Sequence, residues 1–173
     1  TASERICEML FASIINCRTF KFASVLYEIH DAVMKIVKPY YPKLPLPQKS
    51  LLQLIGTDWG RVQVDPDMWV KITQSKIEEW FSKNELPSVA IVDDCRFVNE
   101  FLMPADNKIT VRLECHELTR QSRCSAWRTN TEHPSETALD EFTKQGEFDL
   151  YYDSGVHSVN AIASDIVRNI LKK

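Results

Sequence analysis

Apolar residues recur every three or four positions along much of this chain, the spacing that gathers them on one face of an α-helix. After Asp67, for example, Trp69, Ile72, Ile77 and Trp80 share such a face. Four prolines between residues 39 and 47 interrupt the pattern and predict a loop. The predicted helices cover residues 1–16, 24–37, 49–55 (ending near Gly56), 67–83 and 158–171, and a further helix spans about 97–102.

Other segments carry unbroken apolar runs, which are typical of strands buried on both faces. Residues 88–92 form the clearest run, and we expect this strand to be central and parallel. Residues 109–113 and 149–152 are the next two candidates, and residues 19–23 form a short extended piece. Strands that alternate with helices predict an α/β fold, with a mainly parallel sheet and helices on both faces.

Composition is that of an ordinary globular domain and narrows the function only a little. The 173 residues are 44% hydrophobic and 26% charged, which suits one domain. A net charge of -3 argues against coating nucleic acid by bulk electrostatics. Five cysteines without a C-x-x-C pair predict reduced thiols and a cytoplasmic protein. No apolar run is long enough to span a membrane, so no membrane partner is expected.

Candidate chemistry follows the strand at residues 88–92. Asp93, Asp94 and Arg96 come directly after it, and ligands of open parallel sheets bind at the carboxyl ends of strands. An apolar strand that ends in Asp is the Walker-B pattern, in which the carboxylate faces Mg²⁺ or its water shell. The alternative is that such an Asp simply caps the next helix.

A polar stretch at residues 119–131 holds Arg120, Arg123 and Arg128. Arginine donates paired hydrogen bonds to phosphate, so this stretch is a candidate lid that closes over a transferred phosphoryl group. A solvated surface loop is the alternative. His133 and Glu136 could pair, or could mark a turn before a helix.

Several motifs occur in the order found in one enzyme family. The chain resembles the deoxynucleoside monophosphate kinases encoded by bacteriophages, from about Lys49 to the end and more loosely back to Thr1. The motifs that carry the resemblance are LLQLIGTDWGR at 51–61, DMWV at 67–70, VDDCRFVNE at 92–100, VRL at 111–113, HPSE at 133–136 and FDL at 148–150.

The resemblance implies a P-loop NTPase fold of the nucleoside monophosphate kinase type. Residues 1–173 would form a single kinase domain with an Arg-rich lid at about 117–132. The family's Gly-rich loop ends in Gly-Lys-Asp-Thr-Ala, and this chain starts at Thr1-Ala2. A first strand and the phosphate-binding loop are therefore expected upstream of Thr1.

The implied reaction transfers the γ-phosphoryl group of ATP to a deoxynucleoside 5′-monophosphate, with Mg²⁺ as cofactor. Asp94 would hold the metal through water, and Arg96 with the lid residues Arg120, Arg123 and Arg128 would act on the phosphates. The resemblance also leaves room for a homodimer, and a phage enzyme would work in the host cytoplasm. The implied substrate-binding residues are Lys49, Gln53, Asp58, Trp59, Arg61, Asp67, Trp69, Glu100, His133 and Glu136.

The chain departs from the family pattern on the acceptor side. Ser24 and Tyr27 stand where the family has Asp and Lys, and Lys49-Ser50 replaces two arginines. Two other functions therefore stay open. One is a kinase of the same fold that phosphorylates a hydroxymethylated base in DNA, which would bring a nucleic-acid partner. The other is a non-catalytic relative that binds nucleotide or a partner protein.

Overall fold

Helices and short strands alternate along the chain, as the hydrophobic pattern predicts. The structure, a computed structural model, describes residues 1–43, 48–123 and 137–173, apart from the side chains of residues 48–50. The elements are α1 (Ala2–Ala12), β1 (Asn16–Phe20), α2 (Ser24–Val37), α3 (Gln48–Gln53), a π-helix (Leu54–Val64), α4 (Met68–Ser82), β2 (Ser88–Val92), α5 (Val98–Phe101), β3 (Val111–Glu114), α6 (Glu117–Arg123), α7 (Asp140–Gln145), β4 (Leu150–Asp153) and α8 (Val159–Ile170).

The strands form two two-stranded sheets within the described residues, one of β1 with β2 and one of β3 with β4. β3 and β4 are parallel, with Val111 opposite Leu150. The chain is therefore mixed α/β, as expected. We predicted a single sheet with β2 at its centre. The described residues do not form such a sheet, because β2 pairs with β1 alone. Accordingly, every residue of β2 is half-buried, whereas a central strand would be enclosed.

The chain folds into two compact units. The first unit contains residues 1–19, 84–91 and 96–173. Its core joins the apolar faces of α1 and α8, which pack on half-buried residues from all four strands. The buried members of this core are Ile6, Leu10, Ile162, Ala163, Ile166 and Val167.

Both helices of this core begin at a hydroxyl residue that caps the first turn. The Thr1 hydroxyl accepts a hydrogen bond from the Glu4 amide at 3.3 Å, and the Ser158 hydroxyl accepts one from the Ala161 amide at 3.2 Å. Each cap satisfies an amide that has no partner inside the helix. These caps fix where α1 and α8 start.

The second unit contains residues 20–83 and 92–95, and so holds α2, α3, the π-helix and α4. Its buried residues include Phe20, Phe22, Trp69, Val70 and Ile77. The helix predicted at 49–55 is only partly correct, since α3 ends at Gln53 and the chain continues as a π-helix to Val64. A π-helix of this length is rare, and π-helical turns are frequent at functional sites.

The cysteine prediction is wrong for one pair. Cys7 of α1 and Cys17 of β1 are joined in a disulfide, with their Cα atoms 5.0 Å apart. That separation lies within the usual range for disulfides. Cys95 and Cys115 are free thiols, and Cys124 lies outside the described residues.

Candidate functional site

The chain segments that follow β1 and β2 meet through Asp94. Its Oδ1 accepts a hydrogen bond from the amide N–H of Phe22 at 2.8 Å, and its Oδ2 accepts one from that of Ala23 at 2.9 Å. Ala23 is the residue before α2, and no side chain of its own caps that helix. Asp94 is thus a capping residue, but for a helix far from it in sequence.

This arrangement bears on the expected metal role of Asp94. A carboxylate has about four acceptor positions, and the two amides occupy one on each oxygen. The remaining lone pairs suit a water molecule in a Mg²⁺ shell. No group of three or more His, Cys, Asp or Glu side chains able to hold a metal occurs among the described residues. Kinase Mg²⁺ needs no such cage, because one or two carboxylates and the substrate phosphates suffice.

Asp93 and Lys21 extend the same site. The Lys21 Nζ lies 3.5 Å from Asp93 Oδ1, and the Asp93 side chain is 24% exposed. A cation and an anion therefore stand beside Asp94, at the end of β2. Lys21 thus brings a positive charge to within 3.5 Å of the Asp93 carboxylate.

Glu100 fixes the backbone that carries Arg96. The Glu100 carboxylate is buried, with 5% of the residue exposed. Its Oε2 accepts hydrogen bonds from the amides of Arg96 at 2.7 Å and of Phe97 at 3.0 Å. The role expected for Glu100 was substrate binding, whereas these contacts are structural. Arg96 itself is exposed.

The π-helix and α4 meet at the carbonyl of Gly56. This oxygen accepts a hydrogen bond from the Trp69 indole N–H at 2.8 Å and another from Arg61 Nη1 at 3.0 Å. Gly60 lies under the indole ring, where a Cβ atom would come within 2.6 Å of Trp69 Cζ2. The motifs at 51–61 and 67–70 are thus one folded unit.

Exposure separates the residues predicted for the acceptor site. Trp69 is 1% exposed and is enclosed by protein, whereas Trp59 is 43% exposed and presents its ring to solvent. Asp58 and Asp67 are exposed, and Asp67 directly precedes α4. Arg61 and Gln53 are half-buried, and the Lys49 side chain lies outside the described residues.

The predicted lid is described only in part. Arg120 and Arg123 belong to the last turn of α6, and Arg123 Nη2 donates a hydrogen bond to the Ser154 carbonyl at 3.0 Å. Arg128, His133 and Glu136 lie outside the described residues. α6 starts where the lid was predicted to begin, and the contact with Ser154 ties its end to the segment after β4.

Sequence reasoning missed the π-helix and the backbone contacts of Glu100, and it offered capping by Asp94 only as an alternative. Two glycines four residues apart, Gly56 and Gly60, were the available signal for a tight approach by a large side chain. Glu100 lies three residues after Phe97, the residue before α5, and its carboxylate accepts the Phe97 amide as the Glu of a capping box does. The Phe97 side chain has no acceptor for the reciprocal bond.

Comparisons with known proteins do not assign a family. No protein-family model matches this chain, and no curated protein or solved structure is significantly similar to it. Within the described residues, no helix is long and apolar enough to cross a membrane. Function must therefore be argued from the site.

Proposed function

We propose that this chain is the greater part of an ATP-dependent deoxynucleoside monophosphate kinase. The observation that carries the proposal is the site after β1 and β2. Two carboxylates and a lysine stand there, with Asp94 held by two backbone amides and Asp93 beside Lys21. Ligands of α/β proteins bind at the carboxyl ends of strands. Fixed charges there suit phosphoryl transfer, which depends on positioning and electrostatics.

Each charged residue takes a role that its surroundings support. Asp93 and Asp94 offer the hard oxygen ligands that suit hydrated Mg²⁺. What Mg²⁺ supplies when bound is neutralisation of the phosphate charge. Arg61 and Arg96 bind phosphate oxygens of the acceptor or of the transferred group. Trp59, which is exposed, would stack on the acceptor base.

The proposed P-loop fold would account for two separate sheets that pack on one core. Half-buried residues of β2 and β3 pack on the same core of α1 and α8, yet the two sheets are separate within the described residues. Isolated two-stranded sheets are marginally stable. A strand preceding Thr1, which the family resemblance implies, would pair with both and complete one parallel sheet.

The lid remains part of the proposal. In the closed state an arginine of the segment 117–132 would meet the transferred phosphoryl group and stabilise the transition state more than the ground state. Arg123 donates a hydrogen bond to the Ser154 carbonyl. We assign the catalytic contact to one of Arg120, Arg123 and Arg128.

The test is a coupled assay of the full-length protein with ATP, Mg²⁺ and each of the four deoxynucleoside monophosphates. We expect diphosphate formation with at least one of them. Asp93→Asn should lower kcat, whereas Asp106→Asn, at an exposed position outside the motifs, should not. Phosphorylation of DNA that carries hydroxymethylated bases, with no reaction on free nucleotides, would replace this proposal with the DNA kinase. Nucleotide binding without turnover would make the chain a non-catalytic relative.

A further inference from the structure

We propose that Trp69 is a positioning residue that sets the orientation of the Arg61 guanidinium through the carbonyl of Gly56. This inference rests on the proposed function for its kinetic consequence, since Arg61 is there a phosphate-binding residue. The structural part is independent of that function. Trp69 was expected to bind substrate, whereas this inference gives it the role of positioning a substrate-binding residue, Arg61.

The first observation is that two donors share one acceptor. The indole N–H of Trp69 reaches the Gly56 oxygen at 2.8 Å, and Arg61 Nη1 reaches it at 3.0 Å. Gly56 lies within the π-helix Leu54–Val64, whose backbone fixes the direction of this carbonyl. The two side-chain donors therefore share an acceptor of fixed direction. The guanidinium of Arg61 and the indole of Trp69 are therefore both positioned relative to the same oxygen atom.

The second observation is that the indole cannot shift. Trp69 is 1% exposed, and its ring lies against the backbone at Gly60. A Cβ atom on residue 60 would meet Trp69 Cζ2 at 2.6 Å and the Ile55 carbonyl oxygen at 2.9 Å. The ring is therefore held at Gly56 by a hydrogen bond and at Gly60 by packing, on either side of a single π-helical turn.

The third observation is that Arg61 directly follows Gly60 within that turn. The π-helix closes at Asp65, whose amide donates to the Gly60 carbonyl at 2.9 Å. Backbone motion at Gly60 would thus move both Arg61 and the end of the π-helix. The guanidinium fork has fixed geometry, and a phosphate accepts its paired N–H groups only at a defined angle. The bond to Gly56 fixes one Nη atom of that fork.

The experiment uses the full-length protein and the substitution Trp69→Phe, which removes the indole N–H and keeps an aromatic ring. Trp80→Phe is the matched control, because Trp80 lies in the same helix and its ring centroid is 5.8 Å from that of Phe20. The first measurement is the rate at which phenylglyoxal modifies Arg61, followed by peptide mass spectrometry. The second is KM and kcat for the preferred deoxynucleotide.

We expect Trp69→Phe to speed modification of Arg61 about fivefold, the size that one neutral hydrogen bond is worth, and Trp80→Phe to leave the rate unchanged. KM for the acceptor should rise by a similar factor with kcat nearly constant, as loss of uniform phosphate binding predicts. Equal effects of the two substitutions on Arg61 reactivity would show that Trp69 is only a core residue and would overturn the inference.

Two outcomes of the main experiment need a further measurement, namely a variant that does not fold and a wild-type protein without kinase activity. If Trp69→Phe does not fold, a benzothienylalanine at position 69, which keeps the bicyclic ring and lacks the N–H, takes its place with the same expectations. If the wild-type protein phosphorylates no deoxynucleotide, the proposed function fails, while the Arg61 modification rates still decide whether Trp69 positions Arg61.

Discussion

Two acidic residues that follow β2, Asp94 and Glu100, bind backbone amides and so fix the backbone at their neighbours. Asp94 holds the segment before α2, and Glu100 holds the amides of Arg96 and Phe97. A carboxylate is well stabilised by several amide donors. Each of these residues therefore sets the backbone of a more exposed charged residue beside it, Asp93 and Arg96.

Asp94→Asn is expected to lower the free energy of unfolding by about 1–3 kcal/mol, because an amide side chain turns its NH₂ group toward one of the two backbone donors. Chemical denaturation measures the change, with Asp106→Asn as the control for loss of a negative charge. An unfolding midpoint for Asp94→Asn equal to that of the control would mean that the two amide bonds contribute nothing to stability.

At the scale of elements, sequence periodicity located most helices and strands and missed those whose form depends on distant partners. α8 lies within one residue of its prediction, because its apolar face repeats regularly and Ser158 caps it. The π-helix was not predicted, and its Gly56 carbonyl accepts a hydrogen bond from the indole of Trp69, a residue beyond its end. In the same way, the capping role of Asp94 depends on the amides of Phe22 and Ala23, which are 72 and 71 residues away in sequence.

The packing of α1 on α8 gives a direct test of the first core. Leu10 is 0% exposed and Phe11, its neighbour, is 76% exposed. We expect Leu10→Ala to cost about 2–5 kcal/mol through lost burial and the cavity left behind. Phe11→Ala should change stability by less than about 0.5 kcal/mol. Chemical denaturation measures the free energy of unfolding of both variants. Similar losses of stability in the two would contradict the orientation of α1, in which Leu10 faces the core and Phe11 faces solvent.

β4 and α8 are linked by a hydrogen bond whose effect depends on pH. The Tyr152 hydroxyl donates to Asp165 Oδ2 at 2.7 Å. Burial, followed by the hydrogen bond to Asp165, raises the pKa of Tyr152 from 10.0 to about 12. The folded state thus favours the protonated phenol. Its contribution is complete below pH 10 and declines as the pH rises from 10 toward 12.

The expected measurement is the free energy of unfolding of the wild type and of Tyr152→Phe between pH 8 and about pH 12. The difference between them should be constant up to about pH 10 and shrink above it, because the variant has no phenol to ionise. Tyr151→Phe is the control, at a more exposed position of the same strand. A difference that does not change above about pH 10 would contradict the raised pKa.

At the scale of the whole molecule, the first unit has one hydrophobic core and two sheets. Residues of β1, β2, β3 and β4 all contact the cluster formed by α1 and α8, but hydrogen bonds link the strands only in pairs within the described residues. The two sheets share a core but no strand pairing within the described residues. β2 and β3 therefore each have one edge whose backbone N–H and C=O groups no described strand pairs with. Natural proteins usually cover or pair such edges.

The proposal of a first strand before Thr1 predicts how these edges behave in the full-length protein. Amides of β2 and β3 that do not bond to β1 or β4 should exchange with solvent as slowly as the core helices, because pairing with a central strand requires near-global unfolding to expose them. Hydrogen exchange with residue resolution measures this, and Phe11 in α1 and Leu10 beside it are internal references for helical amides. A protein that begins at Thr1 should exchange the same strand amides faster, while the α8 amides change less. If the edge amides of β2 and β3 exchange rapidly in the full-length protein, no strand joins the two sheets and the P-loop fold is wrong.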